Sequence, residues 1–198
     1  GLHLQHFRHW LLRWLYVFGG LMGAVCIATG FVFFVEKRKR QHARVGSQGV
    51  RIVDALAVTT VTGMVLAALG ILVANRLLPE ALPGRGDWER FAFWGTWALA
   101  LVHAGWRSAP VARGLPNPAW REQCWAIAVL AVAAAVLNWI TTGDHLLRTL
   151  AAGYWPVAGL DLALLAVAAI AAAAGHRLGR RAEAAARIGA HGGEAAHA

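Results

Sequence analysis

Residues 10–35 read WLLRWLYVFGGLMGAVCIATGFVFFV, and the charged stretch EKRKR follows at residues 36–40. A helix needs about 20 apolar residues to cross a hydrocarbon core of about 30 Å. The stretch has that length, and Arg13 is its single charged side chain. It therefore predicts a membrane-spanning helix that stops at the charged residues.

Similar apolar stretches recur along the whole chain. The 198 residues are 58% hydrophobic and 15% charged, with a mean hydropathy of +0.50. Soluble domains carry about 25% charged residues, so a soluble fold is not expected. Four further spans are predicted at residues 53–74, 88–107, 123–140 and 155–175. The predicted fold class is an all-α polytopic membrane bundle of about five transmembrane helices.

The chain divides into three predicted parts. Residues 1–145 form a transmembrane region of three to four helices, and residues 146–176 contain the final transmembrane helix. Residues 177–198 begin with basic residues and continue with small and polar ones, which is typical of a flexible tail.

The distribution of basic residues predicts the orientation. Lysine and arginine cluster after the first helix, between the third and fourth helices, and in the tail. The positive-inside rule places these segments in the cytoplasm, so the amino end lies outside and the carboxyl end inside. The net charge of +9 comes from these clusters beside apolar segments, which argues against nucleic-acid binding. The lipid bilayer is the first expected partner.

Histidines are the candidate cofactor ligands. His103 lies inside the third predicted span, where an ionisable group suggests a function. Neutral imidazole is a common axial ligand of non-covalent haem, although a histidine hydrogen-bonded to a neighbouring carbonyl is the alternative. His3, His6 and His9 precede the first span and cover an arc of about 120° on a helix. They are further ligand candidates, and a zinc site or interfacial anchoring are the alternatives.

The predicted positions of these histidines exclude a shared iron. Two axial ligands of one haem have Cα atoms about 12–13 Å apart. His3 is expected at the outer face and His103 at the inner face, so two haems would be required. His145, in TTGDHLL, is the further outer candidate. The inner haem lacks a partner here, so a missing upstream helix or a partner chain is expected to supply it.

Several other polar and small residues each have two possible roles. Arg76 ends the second span, where it can snorkel to the surface or hold a haem propionate. Asp161 lies in an otherwise apolar span and should pair with Arg148 or a solvated cleft. Gly19 and Gly23 form a GxxxG pair, which allows close helix packing or contact with a cofactor ring. Catalytic residues are not assigned.

Residues 2–40, LHLQHFRHWLLRWLYVFGGLMGAVCIATGFVFFVEKRKR, resemble the last repeated segment of the PepSY-associated transmembrane helix family. The matching elements are Leu2-His3, Arg13-Trp14-Leu15-Tyr16, Gly19-Gly20, Thr29-Gly30 and the basic run 37–40. ANRLLP, DWERFAFW and LVHAGWR are similar to the extension of iron-uptake members, so the resemblance covers residues 2–145. The family's FG after LH is Leu4-Gln5 here.

The resemblance implies a bacterial inner-membrane oxidoreductase that reduces ferric-siderophore iron. Electrons from an unknown donor would cross the membrane through b-type haems, the two expected above, with His3 at the family's histidine position. The alternative is a cofactor-free scaffold or accessory subunit of an uptake system. A proton-coupled transporter using Asp161 and His103 would need broken helices or an inverted repeat, and the sequence indicates neither.

Overall fold

The computed structural model describes residues 10–45, 47–108 and 117–194. These residues form α-helices with one π-helical segment, and they contain no strand. The elements are α1 (Trp10–Val45), α2 (Ser47–Val58), the π segment (Thr59–Gly63), α3 (Met64–Leu77), α4 (Arg85–Arg107), α5 (Pro118–Thr142), α6 (Leu146–Ala151) and α7 (Trp155–Glu194).

Four helical stretches are long and apolar enough to cross a membrane. They are Leu15–Phe34, Arg51–Leu77, Pro118–Thr142 and Trp155–Ile188. This confirms the predicted all-helical, multi-pass membrane class. The third predicted span corresponds to α4, which is helical but is not one of these four stretches because charged residues occupy both its ends.

Helix α1 continues past the predicted stop at residue 35. Its apolar part ends at Phe34, but the helix runs through EKRKR and on to Val45. Glutamate, lysine, arginine and glutamine are good helix formers, so the charges end the apolar stretch without ending the helix. α1 packs mainly on α2, and its apolar part contains no buried residue.

A π-helical segment interrupts the second apolar stretch. α2, the π segment and α3 follow one another without a break from residue 47 to residue 77. Thr59, Thr62 and Gly63 of the π segment are buried. Short π segments inside α-helices occur often at functional sites, which directs attention to the helices that pack here, α4 and α5.

The centre of the bundle consists of α3, with α4 on one side and α5 on the other. Gly70 permits the approach to α4, since a Cβ added there would lie 2.5 Å from Oγ1 of Thr96. The largest core cluster consists mostly of small and aliphatic side chains from α3, α5 and α7, including Leu66, Ala131 and Ala168. Small residues let helix backbones approach closely, which is how membrane helices associate.

Helix α5 has clear local start and stop signals. Asn117 caps it by accepting a hydrogen bond from the Ala119 amide at 2.9 Å, and Pro118 occupies its first turn. Gly143 ends it with a φ of 72°, a left-handed conformation that glycine adopts readily. The helix therefore begins five residues before the predicted span at residue 123.

Helices α5 and α7 run antiparallel and pack extensively. Near the start of α5, Trp125 faces Gly175 and Arg121 faces Gly179 of α7. α7 has 40 residues, about 60 Å at 1.5 Å per residue, or twice the hydrocarbon thickness. α7 continues to Glu194, so residues 177–194 of the predicted tail are helical. Alanine, arginine and glutamate in RRAEAAAR favour this extension.

Two contacts place basic segments at the same end of the bundle. The Arg51 guanidinium donates to the Gly105 carbonyl through Nε at 3.0 Å and Nη2 at 2.8 Å, which joins the start of α2 to the end of α4. Arg121, at the start of α5, lies against Gly179 near the basic part of α7. We call this end of the bundle the basic end.

Candidate functional site

Five polar side chains meet near the basic end and connect three parts of the bundle. Thr62 comes from the π segment, His103 and Arg107 from α4, and Glu122 and Gln123 from α5. We call this group the His103 cluster. His103 lies one turn before Arg107 on α4, so both side chains face the beginning of α5.

Both ring nitrogens of His103 have partners in the cluster. Nε2 lies 3.0 Å from Oε2 of Glu122, and Nδ1 lies 3.4 Å from Nε2 of Gln123. An ionised carboxylate accepts hydrogen bonds and an amide nitrogen donates them. In this arrangement Nε2 can donate to Glu122, and Nδ1 can accept from Gln123.

Glu122 also pairs with Arg107 through two hydrogen bonds. Arg107 Nε donates to Oε2 at 2.8 Å, and Nη2 donates to Oε1. This two-pronged geometry suits the planar guanidinium and keeps the carboxylate charged. The two side chains are 40% and 37% exposed, so solvent screens much of their attraction.

Gln123 is the buried centre of the cluster, with 2% of its surface exposed. Its Nε2 donates to the Ala100 carbonyl at 2.8 Å, and its Oε1 accepts from the Thr62 hydroxyl at 2.5 Å. The same hydroxyl lies 2.7 Å from the Val58 carbonyl, so its one proton has two alternative acceptors. Gln123 thus links α5 to both α4 and the π segment.

The other predicted ligands do not join this cluster. His145 caps α6: its Nδ1 accepts from the Arg148 amide at 3.2 Å, and its ring meets Trp139 edge-on at 6.2 Å. Trp139 follows Glu122 by 17 residues on α5, or about 25 Å along the helix. His103 and His145 therefore lie at opposite ends of the bundle. His3, His6 and His9 lie outside the described residues.

Arg76 occupies the last turn of α3 and is half-buried. Within residues 10–45, 47–108 and 117–194 it makes no hydrogen bond or ion pair. Its neighbour Asn75 donates to Glu89 Oε1 at 2.8 Å, and Arg85 donates to the same oxygen at 3.0 Å. The predicted propionate contact of Arg76 stays a prediction.

The haem implied by the resemblance does not fit the described histidines as they stand. An iron bound to Nε2 requires a lone pair there, but the surroundings of His103 favour a proton on that nitrogen. At His145 the Arg148 amide points at Nδ1, which likewise favours the proton on Nε2. We therefore derive no step through a haem.

No protein-family model matches this chain, and neither the characterised proteins nor the solved structures give a match. The relation of residues 2–145 to the PepSY-associated transmembrane helix family stays a resemblance.

His103 was predicted as a functional residue from the sequence, but the other four members of the cluster were not predicted to lie beside it. Glu122 was assigned to the loop before the fourth predicted span and Gln123 to the first position of that span, although Pro118 shows that the helix has already begun. Thr62 belongs to TTVTG, whose threonines are compatible with lipid contact as well as hydrogen bonding. The available signal was the polar pair Glu122 and Gln123, which lies about one turn after a proline at the first position of the helix.

Proposed function

We propose that this chain is a structural membrane subunit, a scaffold or accessory subunit of an uptake system, whose intramembrane polar groups hold helices together. The observation that carries the proposal is the pairing of both His103 ring nitrogens. A histidine that donates to Glu122 and accepts from Gln123 stabilises the contact between α4 and α5.

The position of α1 supports a scaffold. None of Leu15–Phe34 is buried, and Cβ atoms added at Gly19 or Gly23 would meet nothing within 4 Å. A glycine-spaced face allows another transmembrane helix to approach closely. In a scaffold, α1 would contact a helix of the neighbouring uptake protein, while α2 to α7 form the folded body.

We further propose five crossings, with the amino end outside and the carboxyl end inside a bacterial inner membrane. α4 runs alongside α3 and α2. Near its start Glu89 accepts a hydrogen bond from Asn75 of α3, and near its end the Gly105 carbonyl accepts one from Arg51 of α2. The 23 residues of α4 span about 34 Å, which is long enough to cross a hydrocarbon core of about 30 Å. The basic end would face the cytoplasm under the positive-inside rule. Labelling single cysteines at the two ends of α4 with an impermeant reagent tests this arrangement.

The second candidate is a haem-dependent ferric-siderophore reductase. The motifs at residues 2–40 favour it, and the same open glycine face of α1 suits a flat cofactor ring. In this candidate His3 is the outer ligand, and the His103 ring would have to release Glu122 to bind iron. An electron donor and an iron complex would be the partners.

A reduced-minus-oxidised absorption spectrum separates the two functions. The protein is purified from haem-replete cells, together with His3→Ala, His103→Ala and the control His176→Ala, an exposed histidine of α7. A scaffold gives no Soret band, and His103→Ala lowers the free energy of unfolding by about 1–2 kcal/mol more than the control. A b-type spectrum that weakens in His3→Ala or His103→Ala would refute the scaffold function and support the reductase function.

A further inference from the structure

A cavity of about 460 Å³ lies at the end of the bundle opposite the His103 cluster. It is formed where the last turns of α5, the start of α6 and the outer half of α7 meet. Its lining is mostly aliphatic, with one carboxylate and two rings: Ala135, Val136, Trp139, His145, Leu146, Leu147, Asp161 and Leu165. The volume falls in the range of small-molecule sites, about 300–1,000 Å³. We call it the Asp161 cavity.

Asp161 is the buried charged group of this cavity, with 5% of its surface exposed. Its Oδ1 accepts a hydrogen bond from Asn138 Nδ2 at 3.3 Å. Within the described residues this is its single polar partner, so Oδ2 has no donor, and Asp161 lines the cavity. A carboxylate in a membrane-spanning helix is unfavourable unless it pairs with a cation or takes up a proton.

The expected partner, Arg148, is directed elsewhere. Its guanidinium lies 3.3 Å from the Gly143 carbonyl and 3.9 Å from Asp144 Oδ1. Its backbone amide donates a hydrogen bond to Nδ1 of His145. Within the described residues, Arg148 therefore does not neutralise Asp161.

The lining defines which cation suits the cavity. An ammonium group can donate to the free oxygen of Asp161 and rest near the Trp139 ring, because aromatic faces attract cations. The aliphatic side chains of Val136 and Leu165 cannot satisfy a strongly hydrated metal ion, but they suit an alkyl chain. Trp139 and Leu147 are 54% and 74% exposed, so the chain can extend from the cavity into the bilayer.

We propose that the Asp161 cavity binds an amphiphilic ammonium, with the positive nitrogen on Asp161 and the alkyl chain along α5 and α7. Asp161 follows the first residue of α7 by six positions, or about 9 Å along the helix. This depth lies just below the membrane surface, where amphiphilic amines insert. The ligand is either a free alkylamine or the headgroup of an aminophospholipid. The inference does not depend on the proposed scaffold role.

The test measures binding of radiolabelled dodecylamine to the purified full chain in maltoside micelles. Asp161→Asn removes the charge and keeps the side-chain shape beside Asn138. Asp144→Asn is the matched control, since Asp144 lies at the same end of the bundle but outside the cavity lining. Asp161→Asn should weaken binding about tenfold or more, as loss of a charged hydrogen bond requires, and the control should leave it unchanged.

Dodecanol, with the same chain and no charge, should bind the wild type and Asp161→Asn equally. If Asp161→Asn does not fold, Ala135→Leu fills the cavity and should weaken dodecylamine binding in its place. Dodecylamine affinities that agree within about twofold between the wild type and either cavity variant would overturn the proposal.

A competition in nanodiscs then distinguishes the two sources of the ammonium. Phosphatidylethanolamine that displaces dodecylamine, where phosphatidylcholine does not, identifies the lipid headgroup as the ligand. Binding that is unaffected by phosphatidylethanolamine but still requires Asp161 identifies a free amine.

Discussion

Replacing Gln123 by leucine would remove the buried centre of the His103 cluster while nearly preserving side-chain volume. The change deletes the hydrogen bond to the Ala100 carbonyl at 2.8 Å and the bond from Thr62 at 2.5 Å. It also leaves Nδ1 of His103 facing a methyl group. Because leucine fills similar space, the effect of a cavity should be small.

The expected loss follows from these contacts. Hydrogen bonds between membrane helices contribute about 0.6 kcal/mol each on average and up to about 1.7 kcal/mol. The bond to Ala100 and the bond from Thr62, whose proton is shared with the Val58 carbonyl, therefore amount to about 1–2 kcal/mol. The 3.4 Å contact with His103 is long and adds little as a bond. Gln123→Leu should lower the free energy of unfolding by about 1–2 kcal/mol.

The assay is unfolding by sodium dodecyl sulfate in mixed micelles, followed by helical circular dichroism. A double-mutant cycle with Thr62→Val isolates the bond between the two side chains, with an expected coupling of about 0.6–1 kcal/mol. Thr60→Val is the matched control. Thr60 lies in the same π segment, but it is exposed and its hydroxyl donates to its own helix at the Leu56 carbonyl.

Two results would refute this reasoning. If the effects of Gln123→Leu and Thr62→Val simply add, the two side chains do not share a hydrogen bond. If Gln123→Leu is as stable as the wild type, lipid or water satisfies these groups in the unfolded state as well as the bundle does in the folded one.

Two further predictions concern helix packing and capping. Gly70→Ala should destabilise the protein, because the added Cβ would lie 2.5 Å from Thr96 Oγ1. In the control Gly95→Ala the added Cβ meets nothing within 4 Å, so this variant should be neutral or stabilising. The measurement is the unfolding midpoint of each variant. Asn117→Ala should lower the free energy of unfolding by about 1–2 kcal/mol, because it removes the α5 cap and the 2.6 Å hydrogen bond to Ser108. Equal unfolding midpoints for Asn117→Ala and the wild type would contradict this prediction.

The sequence predicted the positions of the helices better than their ends. The predicted spans at residues 123–140 and 155–175 lie inside α5 and α7. α1 and α7 extend by about three to five turns beyond their predicted ends. Hydropathy detects where a helix leaves the lipid, whereas helix propensity and capping decide where the helix itself ends.

The site was less predictable than the fold. His103 stood out as an ionisable residue in an apolar stretch, but its partner Glu122 follows 19 positions later on another helix. Asp161 likewise meets Asn138 across the interface of α5 and α7 rather than the expected Arg148. Such pairs depend on how each helix is rotated and translated against its neighbour, which the spacing within one helix does not specify.

The sequence by itself determined that this chain is an all-helical, multi-pass membrane protein. In lipid each segment must satisfy its own backbone hydrogen bonds, so a run of apolar residues is enough to predict a helix. The tertiary structure decided which polar groups meet, because lipid does not favour one helix face over another by hydrophobicity. Close contacts such as Gly70 on Thr96 set the positions of the helices, and those positions bring Gln123 to Thr62 and expose Asp161 to its cavity.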